Sequence, residues 1–224
     1  MIKTKPVQDP VKIWMADHKA FDHSETPVRL FQSDFLEFFT HIHPAVVLLI
    51  WLPVGLYFLV AAAVAGTPAG VLVGGLIAGA FVWTFTEYTM HRFVFHYTPR
   101  SLAAARIFFL FHGVHHYQPK CKTRLVMPPA VSVPMAFVFY GLFYLIVGRL
   151  AGAPQWVGPL FGGFILGYLT YDMLHYATHH FPMRAGVLKF LKRYHMEHHY
   201  KTPDKMFGVS SPLWDYVFGT QPVR

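Results

Sequence analysis

The sequence predicts an all-α integral membrane protein in which four transmembrane helices carry a cytosolic histidine-rich helical cap. Three observations lead there. Four runs of about 20 residues are nearly free of charge, long enough at ~1.5 Å per residue to cross a hydrocarbon layer about 30 Å thick. Apolar residues make up 54% of the 224 and charged residues 13%, about half the share usual in soluble domains. Histidine clusters recur at four places, and all four fall on one side of those runs.

Residues 1–43 are polar, mixed in charge and broken by Pro6, Pro10 and Pro27. They read as a cytosolic or interfacial segment preceding a membrane domain over 44–224. MIKTKPVQDPVKIWM lacks the apolar core of a cleavable signal peptide. Ser33 or Asp34 is placed to cap a short helix, FLEFFTHIH, with Phe35, Phe38 and Phe39 on one face, suited to a membrane interface. His18, His23, His41 and His43 have no metal-type spacing and read as surface or interfacial residues.

The first span, 44–64, is uncharged, with Pro53 expected to kink it. AGTPAG then forces the second span, 71–90, to return antiparallel. In it Gly74, Gly75 and Gly79 permit close helix approach, and Glu87 is the sole charge. Residues 91–128 form the first part of the cap, and span three follows at 129–148. A short connector leads to span four at 156–175, with Asp172 its sole acid, and 176–224 completes the cap. Five Lys and Arg precede residue 44, six lie in 91–128 and seven in 184–224, leaving only Arg149 in an outer connector. The positive-inside rule therefore puts the cap and both termini on the cytoplasmic side, of a bacterial inner membrane or the endoplasmic reticulum. A net charge of +8 distributed in this way anchors spans; no nucleic-acid-reading motif accompanies it.

The clusters read HRFVFH (91–96), HGVHH (112–116), HYATHH (175–180) and HMEHH (195–199). On a helix, residues three or four apart share a face. His112, His115 and His116, like His195, His198 and His199, set one histidine on a face and a splayed pair a turn later, enough to feed two neighbouring metals. His175 and His179 form an i, i+4 pair. His91 and His96 stand about 140° apart on a regular helix. Unless the helix loosens near Arg92, they are expected to serve two different centres. Clustered imidazoles repel when protonated and are costly near lipid when neutral and unpaired, and a metal resolves both problems. With Cys121 the only cysteine, the ligands must be nitrogen or oxygen. An all-nitrogen set suits iron, zinc, copper or nickel over magnesium or calcium. Some ten ligands exceed one ion's capacity, so two metal ions in a catalytic site are expected, not a structural zinc. Glu87 and Asp172, a turn or less before His91 and His175, are expected to orient imidazoles as outer partners.

HRFVFH, HGVHH, RLVMPP (124–129), YDMLHYATHH (171–180) and KRYHMEHHYKTPDKMFGVSSPLWDYVFGT (192–220) together resemble the fatty acid 2-hydroxylase branch of the fatty acid hydroxylase/sterol desaturase superfamily. The resemblance spans roughly residues 80–220. It implies a membrane monooxygenase whose ligands are His91, His96, His112, His115, His116, His175, His179, His195, His198 and His199. His180 is a neighbour, not a ligand. It implies iron as the working metal, with zinc able to occupy the purified protein, O2 as cosubstrate and a lipid substrate taken from the bilayer. The acyl chain would be oxidised to a 2-hydroxy product as a free fatty acid or within a ceramide. Residues 1–43 contain no haem-binding HPGG, so electrons are expected from a separate cytochrome b5-like or ferredoxin-like protein. Arg92, Arg124, Lys189 and Lys192 stand ready for a head group, for a donor protein or simply for anchoring. Competing readings are a sterol or carotenoid oxidase or desaturase with the same site, and a non-enzymatic membrane metal-binding protein. The second predicts polar residues along the spans, which are nearly bare of them.

Overall fold

A computed structural model describes residues 9–222, and among these it is all-helical, without strands. The break expected at Pro6, the first residues of the stretch expected to lack a signal-peptide core and the basic Arg224 lie outside them.

Helix α1, Pro10–Ala16, was not expected from the proline-broken N-terminus. Its signal is local: Asp9 accepts the Val11 amide at 3.0 Å and Pro10 opens the helix, where a missing N–H costs nothing. Val11 and Trp14 bury against Ala105, Phe109 and Val114 of the second histidine segment. Helix α2, Asp34–Phe38, is capped by Ser33 as expected, and Phe35 and Phe38 remain exposed on its outer side.

The long helices follow. Helix α3 is Pro44–Val64 and carries Pro53 inside it. Helix α4, Ala69–Thr89, passes directly into a π-helical turn over Met90–Phe95. Helix α5, Leu102–Phe108, continues through a second π turn, Phe109–Gly113, into α6, Val114–Tyr117. Helix α7, Pro129–Phe143, is prolonged to Leu150 in the same wide geometry. Helix α8 is Val157–His180, α9 Gly186–Tyr200 and α10 Leu213–Val217.

Among the described residues, three helical stretches are long and apolar enough to cross a membrane: Pro44–Val64, Ala69–Phe95 and Pro129–Leu150. Leu49 and Val64 on the first, Ile77 on the second and Phe137 on the third are exposed, the pattern of surfaces meant for lipid. Four such stretches were expected. The fourth, α8, has the length but not the composition, because it is the helix around which the others pack. Its glycines and its buried Tyr168, Tyr171, Asp172 and His175 face protein, so it does not need a lipid-soluble surface throughout.

Close approach of α4 and α8 is enforced at two glycines. A Cβ at Gly79 would lie 2.0 Å from the Leu160 carbonyl oxygen, and one at Gly163 would lie 2.2 Å from that of Leu76. Trp83 fills the next layer against Phe164 and Tyr168. Trp51 of α3 packs edge-on to Tyr168 and donates to Ser132 of α7 at 3.1 Å. This apolar bundle delivers the ends of α4 and α8 to one level, where α5–α6 and α9 meet them.

Candidate metal centre

The ten histidines singled out in the sequence come together as two groups of five. One holds His91, His96, His112, His116 and His198; the other holds His115, His175, His179, His195 and His199. In each group one ring nitrogen from every member lies within 4.8 Å of all the others. The groups adjoin, with His116 and His199 stacked at a centroid separation of 4.0 Å.

Helical geometry explains the sorting. His112 with His116, and His195 with His199, are i, i+4 pairs that stay within one group, while His115 and His198 point to the other. His91 and His96 correct the expectation that they serve different centres, because both fall in the first group. The π turn is the reason: the His96 amide donates to the His91 carbonyl at 3.1 Å, an i→i+5 bond that realigns residues five apart. The loosening considered near Arg92 is therefore what forms. His180 belongs to neither group, and its ring lies beside Tyr176.

Within the second group the Nε2 atoms approach closely: His175 to His115 at 2.8 Å, His115 to His199 at 3.0 Å, His199 to His195 at 3.1 Å and His195 to His179 at 3.0 Å. The Nδ1 atoms of His115, His175, His195 and His199 are buried without a partner among the described residues. A neutral imidazole has one proton to place. On Nδ1, it leaves lone pairs converging on one point, which only a cation satisfies; on Nε2, it crowds N–H groups together and strands Nδ1. Burial, with neighbouring imidazoles, holds His115, His195 and His199 well below the usual histidine range, and burial lowers His198 to about 4. Such neutral rings are the ligand form. The donor set fits a metal ion in each group.

The first group is steered by one loop. The Nδ1 of His91 is 2.5 Å from the Phe207 carbonyl oxygen, and that of His198 is 2.6 Å from the Lys205 carbonyl oxygen. Between them Met206, fully buried, adopts φ 59°, a conformation that side-chain-bearing residues take only when their surroundings impose it. Asp215 imposes it by accepting the Phe207 amide at 2.9 Å, the Gly208 amide at 2.8 Å and the Thr220 hydroxyl at 2.7 Å.

Neither acid expected to contact an imidazole does so. Glu87 accepts the Val209 and Ser210 amides at 2.6 and 2.9 Å and the Ser210 hydroxyl, so it fastens the same loop. Asp172 accepts the Met127 amide at 3.2 Å and the Tyr168 hydroxyl at 3.1 Å, tying the RLVMPP segment to α8. Both carboxylates are buried, and backbone amides from distant segments reach them first. No motif or spacing in the sequence marks Asp215 or the carbonyls of Lys205 and Phe207; the one signal is a further acid among apolar residues.

Two cavities reach the histidines. The first, about 240 Å³, is largely apolar and runs between His112, His115 and His175 and the side chains of Phe39, Phe95, Val126 and Val131. The second, about 370 Å³, is more polar, with Arg92, His18, Asp204, His96 and His116 in its wall.

The fatty acid hydroxylase family model matches residues 76–220. A dihydroceramide fatty acyl 2-hydroxylase of Arabidopsis thaliana is 40% identical over 205 residues, covering 92% of this chain and 84% of the relative. A ceramide very long chain fatty acid hydroxylase of Schizosaccharomyces pombe is 42% identical over 194 residues, 84% of this chain but 54% of the relative. A solved structure described as full-length scs7p, with only its hydroxylase domain visible, superposes with a TM-score of 0.79 at 33% identity, over 96% of this chain and 90% of that one.

Proposed function

The chain belongs to the fatty acid hydroxylase family, and on that premise we propose that it hydroxylates the carbon next to the carbonyl of a fatty acyl chain, using O2 and electrons from a separate donor protein. The observation that carries this reading is the pair of five-histidine groups at the end of an apolar cavity. The ten histidines would hold two metal ions, iron in the working enzyme. When bound, these ions supply the activation of O2 that puts one oxygen atom into a C–H bond and releases the other as water, with two external electrons.

The chain's own residues do the rest. Phe39, Phe95, Val126 and Val131 line a channel that aligns an acyl chain and excludes water from it. Burial keeps His115, His195 and His199 neutral, so their nitrogens remain free to coordinate at physiological pH. Glu87 and Asp215 fix the loop whose carbonyls orient His91 and His198. The more polar cavity beside Arg92 and His18 is the side from which a soluble donor approaches. For topology we take α8 as a fourth span, with cap and termini cytosolic, because 18 of 19 Lys and Arg then share that side.

The relatives favour acyl hydroxylation over sterol or carotenoid oxidation and over metal transport. Lipid mass spectrometry after expression tests the reading. Wild type is expected to accumulate 2-hydroxy acyl lipids and His195→Ala to accumulate none. A new double bond or an altered sterol in place of the 2-hydroxy product would overturn it.

A further inference from the structure

Of the four basic residues placed to meet a head group, three are already engaged or face outward. Arg92 donates to the Tyr88 hydroxyl at 2.7 Å, Lys192 to the Thr178 and Phe181 carbonyls at 2.6 and 3.0 Å, and Lys189 is exposed. Arg124 differs. Its side chain is 2% exposed, and it lies in the wall of the apolar cavity that also contains His112, His115 and His175. Nη2 is held by Glu37 at 2.5 Å and by the His41 ring at 3.0 Å. Nε and Nη1 are buried with no partner among the described residues. A guanidinium presents its N–H groups as a rigid planar fork, and leaving two of its three nitrogens dry is costly. Glu37 already balances the charge. What the guanidinium lacks is therefore an oxygen acceptor, not an anion.

We propose that Arg124 receives the acyl oxygen of the lipid, the carbonyl of an N-acyl amide or the carboxyl of a free acid, and so sets which carbon lies at the histidine groups. This rests on the functional reading above and names the part of the substrate that the chain grips. It also gives α2 a purpose. Glu37 from α2 holds the guanidinium while Leu36 and Phe39 of the same segment close the cavity, so the N-terminal segment forms one wall of the substrate site. The balanced charge favours the amide carbonyl over the carboxylate.

The test is equilibrium binding of N-stearoyl sphinganine and of stearic acid to the purified, metal-loaded full chain without reductant, so that nothing turns over. Arg124→Met is expected to bind the amide lipid about tenfold or more weakly at unchanged metal content. Arg29→Met, which removes the exposed Arg29–Asp34 pair at the start of α2 and leaves Arg124 with Glu37 and His41, is expected to stay within about threefold of wild type. Should Arg124→Met fail to fold, Arg124→Lys decides, because it keeps a cation beside Glu37 but lacks the planar fork. A loss confined to stearic acid also supports the assignment and identifies the free acid as the ligand. Unchanged binding of both lipids by a folded Arg124 variant overturns it. So does an equal loss in Arg29→Met, which would make the seating of α2, and not the guanidinium, the source of the effect. If wild type binds lipid but forms no 2-hydroxy product with iron, O2 and reductant, the functional reading fails while the binding result still judges Arg124.

Discussion

Asp215 is buried and hydrogen-bonds to no histidine among the described residues, yet it holds the loop that reaches two of the imidazoles. Its carboxylate holds the Phe207 and Gly208 amides, and the neighbouring carbonyls of Lys205 and Phe207 fix the Nδ1 sides of His198 and His91. Outer partners of this kind typically change metal affinity by about 10–100-fold. Asp215→Ala is accordingly expected to weaken metal binding by about that factor while product identity is kept, as read by competition with a chelator of known affinity. The histidines also set an acid limit. Unfolded, these imidazoles take protons near pH 6.5; folded, burial lowers that, for His198 to about 4. Below pH 6.5 the unfolded state binds more protons than the folded one, so stability is full above 6.5 and is lost as the pH falls toward 4. Protons compete with metal across the same window. Metal content and Tm are expected to fall together there, and a protein that keeps both at pH 4 contradicts the assignment of these rings as neutral ligands. The ten histidines were legible in the sequence because their i, i+3 and i, i+4 spacings mark shared helix faces, the pair His91 and His96 excepted. Asp215 was not, and neither were the partners that Glu87 and Arg124 take, because these lie in other segments, 122 residues away for Glu87 and Val209.

At the scale of elements, the periodicity of the apolar runs located α3 to the residue and α4, α7 and α8 to within a few residues. What it missed were departures from the α-helix. A fixed rotation per residue sends His91 and His96 apart, and only the π turn over Met90–Phe95 brings them together. Such a turn costs hydrogen-bond geometry and leaves no mark in composition; the ligand demand of the site is its visible reason. The packing of α4 on α8 was foreshadowed by glycines. Gly79→Ala would press a methyl group onto the Leu160 carbonyl, backbone that cannot swing aside. It is expected to destabilise the protein by about 1–3 kcal/mol or more. Gly70→Ala, with nothing within 4 Å, is expected to be neutral. Thermal unfolding in detergent distinguishes the two, and equal Tm values would show that the α4–α8 contact is not tight.

For the whole molecule, polarity is divided by level. Lipid-facing side chains cover the outer surface of three apolar helices, while almost every buried polar group gathers at the end where α4, α6, α8 and α9 meet. α8 belongs to both levels, which is why it is less apolar than its neighbours and why a composition rule counts three helices where the sequence had suggested four. An apolar cavity and a more polar one meet the histidines from different sides, and the proposed function assigns the first to the acyl chain and the second to the electron donor. The central claim is that the two five-histidine groups together direct oxygen to the carbon beside the acyl carbonyl. The most direct measurement is mass spectrometry of lipid incubated under 18O2 with the purified, iron-loaded protein and a reductant. One 18O atom at carbon 2 of the acyl chain is predicted for wild type, and no label for either His195→Ala or His198→Ala, one from each group. Label at another carbon, or undiminished labelling by either variant, would contradict it.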